Sequence, residues 1–266
     1  MSSPIRLDRL LLVCPHPDDE TLGAGLLLQE VIARGGQVRV IYLTDGESNP
    51  IPQFLDERRW PYGAARRARW GGRRRLEARQ ALRILGVDDG AAELWSFPDQ
   101  GLTRLLRRGS DEVVALLTAS MASFEPTVVV TPSPHDLHAD HVAASMMARR
   151  AIGSLKCAQE IAHLVYRVHG ALPSLDDAYI PSATASALNR KSAAMSAHAT
   201  QLVASRRRML LLARRPEAFW TWDVEIHRKP QTWRGLRRLL HLLPAWTAPE
   251  AQWEDGTAAP VPLEES

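Results

Sequence analysis

Leu10-Leu11-Leu12-Val13-Cys14-Pro15-His16-Pro17-Asp18-Asp19-Glu20 is the stretch on which the fold turns. Five apolar residues in a row, bounded by a proline, read as a short strand that is fully buried, as in a parallel sheet. In open parallel sheets ligands sit beyond the carboxyl ends of the strands. At that place the chain packs an imidazole and three carboxyl groups into the stretch His16 to Glu20. Two prolines stiffen the turn and remove backbone donors, which helps fix where the side chains point. Like charges this close are costly without a compensating cation. His16 and Asp19, three apart, can reach one divalent ion. Taken singly, the acids would read as complements to the positive end of the following helix; as a unit with His16 they read as half of a metal site.

Outward from this stretch, apolar runs alternate with helical periods, the pattern of βαβ units around a parallel sheet. A helix is predicted from Thr21 to Arg34, stopped by Gly35-Gly36. A strand follows from Gln37 to Thr44, rich in β-branched and aromatic residues. The segment 45–72 is too long for a plain connection and reads as an active-site loop. Within it Trp60 and Trp70 are the tryptophans best placed to touch a substrate. Next come a helix from Arg73 to Leu85, with an apolar face of Leu76, Gln80, Leu82, Ile84 and Leu85, and a strand from Glu93 to Phe97. A helix from Asp111 to Ser123, a strand from Thr127 to Thr131 and a helix from Asp140 to Ala151 complete the alternation. Beyond it the pattern gives a strand from His163 to His169, one or two helices within 185–213, and a late strand from Trp220 to His227. One domain over residues 1–245 is expected. A Pro/Glu-rich tail over 246–266 has too little apolar content to order itself.

The predicted fourth strand exits as Thr131-Pro132-Ser133-Pro134-His135-Asp136-Leu137-His138-Ala139-Asp140-His141. Histidines and acids again follow the end of a buried run, so both clusters face the same edge of the sheet. His138 and His141 have the three-residue spacing of many metal sites.

These two motifs resemble those of the PIG-L/LmbE family of zinc-dependent N-acetylglucosaminyl deacetylases. Leu43-Thr44-Asp45-Gly46-Glu47, Arg74-x-x-Glu77, Phe97-Pro98-Asp99-Gln100-Gly101-Leu102 and His198-Ala199-Thr200-Gln201 fit the same pattern, which spans roughly residues 8–228. Ala139 stands where the family usually has proline, a change that removes no chemical group. The resemblance implies a three-layer, Rossmann-like (LmbE-like) α/β fold with a mostly parallel central sheet. It implies His16, Asp19 and His141 as ligands of Zn2+, with Fe2+ the other ion that two imidazoles and a carboxylate accept. It makes Asp18 the general base and His138, supported by Asp140, a partner for the transition state. Arg74 and Asp99 become substrate contacts. Glu20 and Glu47 are expected behind the ligands, Glu47 as acceptor for a ligand histidine. His169 follows a predicted strand, within reach of the site, but is expected in the core or at the surface; His198 and Gln201, one helical turn apart, are expected behind the site or as packing residues rather than as catalysts. The activity implied is removal of an N-acetyl group from an amino sugar or sugar conjugate, a small-molecule partner.

Composition sets the outer bounds. With 45% hydrophobic and 24% charged residues, the 266-residue chain has an ordinary globular make-up. Its two cysteines, Cys14 and Cys157, are expected to be buried and unpaired, as in the cytoplasm. No apolar run approaches the ~18 residues a bilayer demands, so no membrane partner is expected. All but three of the 33 basic residues are arginine, and seven lie between Arg66 and Arg79. Phosphate contacts on a nucleic acid are the competing reading of that run. Glu77 and an apolar face interrupt it, and no base-reading motif accompanies it, so no nucleic-acid partner is expected. An amidase or tailoring deacetylase acting on a non-GlcNAc molecule could use the same run to recognise an anionic aglycone. Gly23-Ala24-Gly25 lacks the third glycine of a dinucleotide loop, and the neighbouring carboxylates would repel a pyrophosphate.

Overall fold

A computed structural model describes residues 5–60, 63–109 and 111–227; the expected end of the domain at 245 and the tail over 246–266 lie outside the described residues. The chain runs β1 (Arg9–Cys14), α1 (Asp19–Ala33), β2 (Gln37–Thr44), α2 (Pro50–Glu57), α3 (Ala64–Leu85), β3 (Ala92–Phe97), α4 (Leu102–Arg107), α5 (Glu112–Phe124), β4 (Val128–Pro132), α6 (Ala139–Gly153), β5 (Ala162–Tyr166), α7 (Ala185–Ala197), α8 (Ala199–Ala213), β6 (Trp220–Thr221) and α9 (Trp222–Ile226). The strands form one sheet in the order β3-β2-β1-β4-β5-β6. All pairings are parallel except the last, β5 with β6.

Alternate residues of the central strands go to opposite faces, and each face has its own core. Leu10, Leu12, Val40, Tyr42 and Val130 pack with Leu27 and Val31 of α1 and Ala81 and Leu85 of α3. Leu11, Val13, Ile41, Leu43 and Val129 pack with Leu117 and Met121 of α5 and Ala144 and Met147 of α6. Helices on both faces make three layers, as the motifs implied. Each such side chain removed from water contributes on the order of 1.5–3 kcal/mol.

The strand order reverses between β1 and β4. β2 and β3 lie to one side of β1, while the chain returns to place β4 on its other side. A crevice opens at such a switch point beyond the carboxyl ends of the strands. The loops leaving β1 and β4, which carry the two motifs, both emerge there.

Four expectations need correction. The segment 45–72 is largely helical: it holds α2 and the first turns of α3. Proline at the start of α2 is compatible with a helix because the first amides have no intrahelical partner. Second, the inward face of α3 is Trp70, Arg74, Ala78, Ala81, Leu82 and Leu85, whereas Leu76 is 70% exposed. Alanines on this face allow α3 to pack closely on α7. Third, the late strand ends at Thr221, because the chain turns into α9 and carries Glu225 back to Ser133 and Arg167. Fourth, only Cys14 of the two cysteines is buried; Cys157 is exposed, on the turn after α6, and both are free.

Candidate metal centre

Asp18 closes the turn after β1 with φ 107° and ψ −25°, in the left-handed region that non-glycine residues rarely adopt. This twist starts α1 at Asp19 and turns Asp19 back under His16, whose backbone N–H donates to Asp19 Oδ2 at 2.9 Å. The same oxygen lies 3.4 Å from His16 Nδ1, and Asp19 Oδ1 lies 3.3 Å from His141 Nε2. Asp19 thus sits between the two imidazoles, one oxygen to each. For ligands about 2.0–2.1 Å from a tetrahedral ion, neighbouring donor atoms are about 3.3 Å apart. Neither ring nitrogen of the buried His141 makes a well-directed hydrogen bond. Two imidazoles and a carboxylate at these separations are donors of the kind a divalent metal takes, and His16 and His141 also fall together in a group of mutually close donors with His138.

The far side of each imidazole faces a carboxylate. His16 Nε2 lies 3.1 Å from Asp99 Oδ1 and 3.6 Å from Asp140 Oδ2. His141 Nδ1 lies 3.4 Å from Asp136 Oδ2. Such outer carboxylates orient ligand imidazoles and raise their basicity. They are themselves fixed by backbone amides. Asp136 accepts from His138 N at 2.9 Å and from Val168 N and His169 N, both at 3.1 Å. Asp140 accepts from Gln100 N at 2.7 Å and Leu102 N at 3.1 Å. Asp99 accepts from Ser48 N at 2.7 Å.

The charge balance follows from this crowding. Burial opposes the charged form of His141, but Asp19 and Asp136 outweigh it and lift the imidazole to about 10. His16 is raised well above its usual value: burial opposes the charged form, and the carboxylates of Asp140, Asp19 and Asp99 around it outweigh burial. Asp19 is held well below the carboxylate range, because His141 and His16 outweigh its own burial. Asp99, also buried, is lowered to about 2 by His16. His138 behaves in the opposite way: burial, then repulsion from His16 and His141, lower it to about 4, so it is neutral at pH 7. Its Nδ1 accepts the Asp140 amide at 3.2 Å, which leaves the proton on Nε2. Asp18 is raised to about 6, burial prevailing over the attraction of Arg74.

The structure distributes the other expected residues as follows. Arg74, 3% exposed, donates to the Gly46 carbonyl at 2.6 Å, to the Pro17 carbonyl and to Asp18 Oδ2 at 3.2 Å. It thus ties the β2–α2 loop to the first motif. The Gly46 position has room for no side chain, since a Cβ there would stand 1.8 Å from Arg74. Glu20 accepts from the Asp18 amide at 2.9 Å and lies 2.7 Å from His198 Nε2. Glu47 accepts the amide of Asp99 at 3.0 Å and not a ligand ring, because it sits on the β2 side, facing the β3–α4 turn. Asp140 supports His138 through its backbone N–H, while its carboxylate serves the β3–α4 loop and His16. Trp70 is fully buried and so lines no substrate surface; Trp60 is 51% exposed and stacks on Phe54.

Two residues of the site escaped the sequence reading. His169 enters it, with ring centroids 4.9 Å from His141 and 5.6 Å from His138. Its position after a strand end was a signal, outweighed by the ordinary frequency of core histidines. Asp136 stands among His135, His138 and His141, and the histidine spacing is the stronger signal in that stretch. Donor atoms within 4.8 Å of one another form three triples among the described residues: His16, His138 and His141; Asp136, His141 and His169; and His16, Asp99 and Asp140.

An α/β sheet with histidine and carboxylate donors gathered at its switch point defines a protein of the Rossmann-like class with a candidate metal site. The family model PIG-L, described as GlcNAc-PI de-N-acetylase, matches residues 11–152. The chain belongs to that family. It is 32% identical over 158 residues to a 1D-myo-inositol 2-acetamido-2-deoxy-alpha-D-glucopyranoside deacetylase of Mycolicibacterium smegmatis, covering 55% of this chain and 53% of that protein. The chain spans about half the length of the curated relatives it matches. Among solved structures it is similar to the conserved protein TT1542 from Thermus thermophilus, with a TM-score of 0.58 and 27% identity, covering 85% of this chain and 99% of the other. N,N'-diacetylchitobiose deacetylase from Pyrococcus horikoshii shares the fold, with a TM-score of 0.62 and 20% identity over 85% of this chain and 88% of the other. No described helix is long and apolar enough to cross a membrane.

Proposed function

We propose that the protein is a metal-dependent hydrolase that removes the N-acetyl group of an amino sugar or amino-sugar conjugate. The observation that carries this reading is the placement of Asp19 between His16 Nδ1 and His141 Nε2, at 3.4 and 3.3 Å, with Asp18 as the adjacent residue in the chain. His16, Asp19 and His141 would hold the ion, and two imidazoles with one carboxylate leave coordination positions open. We assign Zn2+, with Fe2+ the alternative the same donors accept. When bound, such an ion polarises an amide carbonyl and makes a hydroxide available near neutral pH.

The chain's own residues do the rest. Asp18, raised to about 6, takes a proton from the attacking water and returns it to the departing nitrogen. Neutral His138, with its proton on Nε2, donates a hydrogen bond to the oxygen that becomes negative at the transition state. Asp99 and Asp140 hold the His16 ring, and Asp136 the His141 ring. The names of the relatives support an acetamido sugar as the substrate class, a glycoside of inositol among them.

Free amine released from N-acetylglucosamine, its inositol glycoside and N-acetylated chitobiose, measured with Zn2+ supplied, tests the reading. Amine release is expected from at least one, and Asp18→Asn should lower kcat by about 10²–10⁴-fold. Turnover of none, or a fully active Asp18→Asn variant, overturns it.

A further inference from the structure

The motif His198-Ala199-Thr200-Gln201 has no part in the hydrolysis derived above, yet it reaches the first metal motif. His198 ends α7 and opens α8; it is fully buried, with Nε2 2.7 Å from Glu20 Oε1. The other oxygen of Glu20 accepts the Asp18 amide at 2.9 Å. A chain of two hydrogen bonds therefore runs from a residue far along the sequence to the backbone of the proposed base.

Asp18 requires such a hold. Its left-handed backbone is strained for a residue with a side chain, and that side chain makes no capping bond to α1. Glu20, the second residue of the helix, supplies a contact of its own by reaching back to the N-cap amide, the arm that a glutamate one residue later provides in a capping box. A glutamate has three free torsions, so its own posture must be fixed. Thr21 Oγ1 donates to Oε1 at 2.6 Å, and His198 meets the same oxygen from the other side. The α7–α8 junction is anchored in turn: Thr200 donates from both its amide and its hydroxyl to Glu77 of α3, and Gln201 accepts from Asn49 at 3.1 Å.

We infer that His198 and Glu20 are positioning residues for Asp18: the imidazole fixes the Glu20 carboxylate, which fixes the Asp18 backbone so that its carboxylate stays against Arg74 beside Asp19. The inference rests on Asp18 being the base. It also means that the site is incomplete within residues 11–152, and that α7 and α8 supply an element of it.

Steady-state kinetics on the best substrate of the N-acetylated panel, with bound zinc and the melting temperature measured in parallel, test the proposal. His198→Phe keeps the ring volume but removes the donor. It should lower kcat on the order of a hundredfold while leaving KM and bound zinc unchanged. His198→Gln keeps a donor toward Glu20 and should recover most of the loss. An unimpaired His198→Phe variant overturns the proposal, as does equal loss in both variants together with lost zinc or a collapsed melting temperature. Should His198→Phe not fold, Glu20→Gln gives the same reading: it must turn an N–H group either toward the Asp18 amide or toward His198 and Thr21, and wild-type kcat would refute the role. If Asp18→Asn is itself active, the base assignment fails; if it is dead while His198→Phe is unimpaired, only the positioning role fails.

Discussion

Asp136 is a carboxylate placed behind a proposed ligand rather than among the ligands. Three backbone amides hold it in place, and it faces Nδ1 of His141 from 3.4 Å, which leaves Nε2 turned toward Asp19. Asp136→Asn should weaken zinc binding by about 10–100-fold in competition with a chelator; unchanged affinity would show that His141 needs no partner. His163 is a contrasting case, a histidine with a purely structural place. It is buried on β5, 2.9 Å from Thr131 Oγ1 and stacked on Trp222 at 6.0 Å. Burial, helped by the charge of Arg149, lowers it to about 3 from the usual 6.5. Above pH 6.5 both folded and unfolded chains carry it neutral, and its contribution to stability is intact. As pH falls from 6.5 toward 3 the unfolded chain takes up a proton that the folded one refuses, which costs up to about 1.4 kcal/mol per pH unit. His163→Gln should make the loss of stability across that window shallower by one proton, measured by urea unfolding at stepped pH; an unchanged slope would contradict the assignment. From the sequence alone the two histidines looked alike, since each follows or lies in a predicted strand. What separates His169 and His163 is which loop or helix closes over them, and that is set by long-range packing.

At the scale of elements, α1 carries much of the design. Its first turn holds the motif, and its body is built to receive other segments. Glu217 accepts from the amides of Leu26 and Leu27, and Lys191 pairs with Glu217 at 2.6 Å and donates to the Leu22 carbonyl. Gly23 gives Tyr166 its place: a Cβ there would lie 2.3 Å from the ring. Alanine would gain up to about 1 kcal/mol in helix propensity over glycine, but the ring is 1% exposed and held by its hydroxyl to the Val13 carbonyl. Overpacking should win, and Gly23→Ala should lose about 1–3 kcal/mol in chemical denaturation. A more stable variant would show that the sheet yields here. The elements with strong periods, β1, β2, β4 and α6, were legible within a residue or two. The segment 45–72 was not. Its arginines and prolines read as a loop, but proline is tolerated at the start of α2, and the inner face of α3 is built from alanines, Trp70 and Arg74, which carry little amphipathic signal.

For the whole molecule, the reversal of strand order between β1 and β4 does the organising. Motifs more than a hundred residues apart in the chain meet because both leave strands at that point. This is why the two clusters were legible as one site from the sequence. The outer carboxylates were less so, since Asp99 reaches His16 only through the β3–α4 turn, and no spacing rule encodes that approach. The central claim is that His16, Asp19 and His141 share one ion. The most direct test is anomalous diffraction at the zinc edge from crystals of the full chain soaked in zinc. The account predicts a peak bounded by His16 Nδ1, the Asp19 carboxylate and His141 Nε2. A peak instead among Asp136, His141 and His169, or among His16, Asp99 and Asp140, or no peak at all, would contradict it.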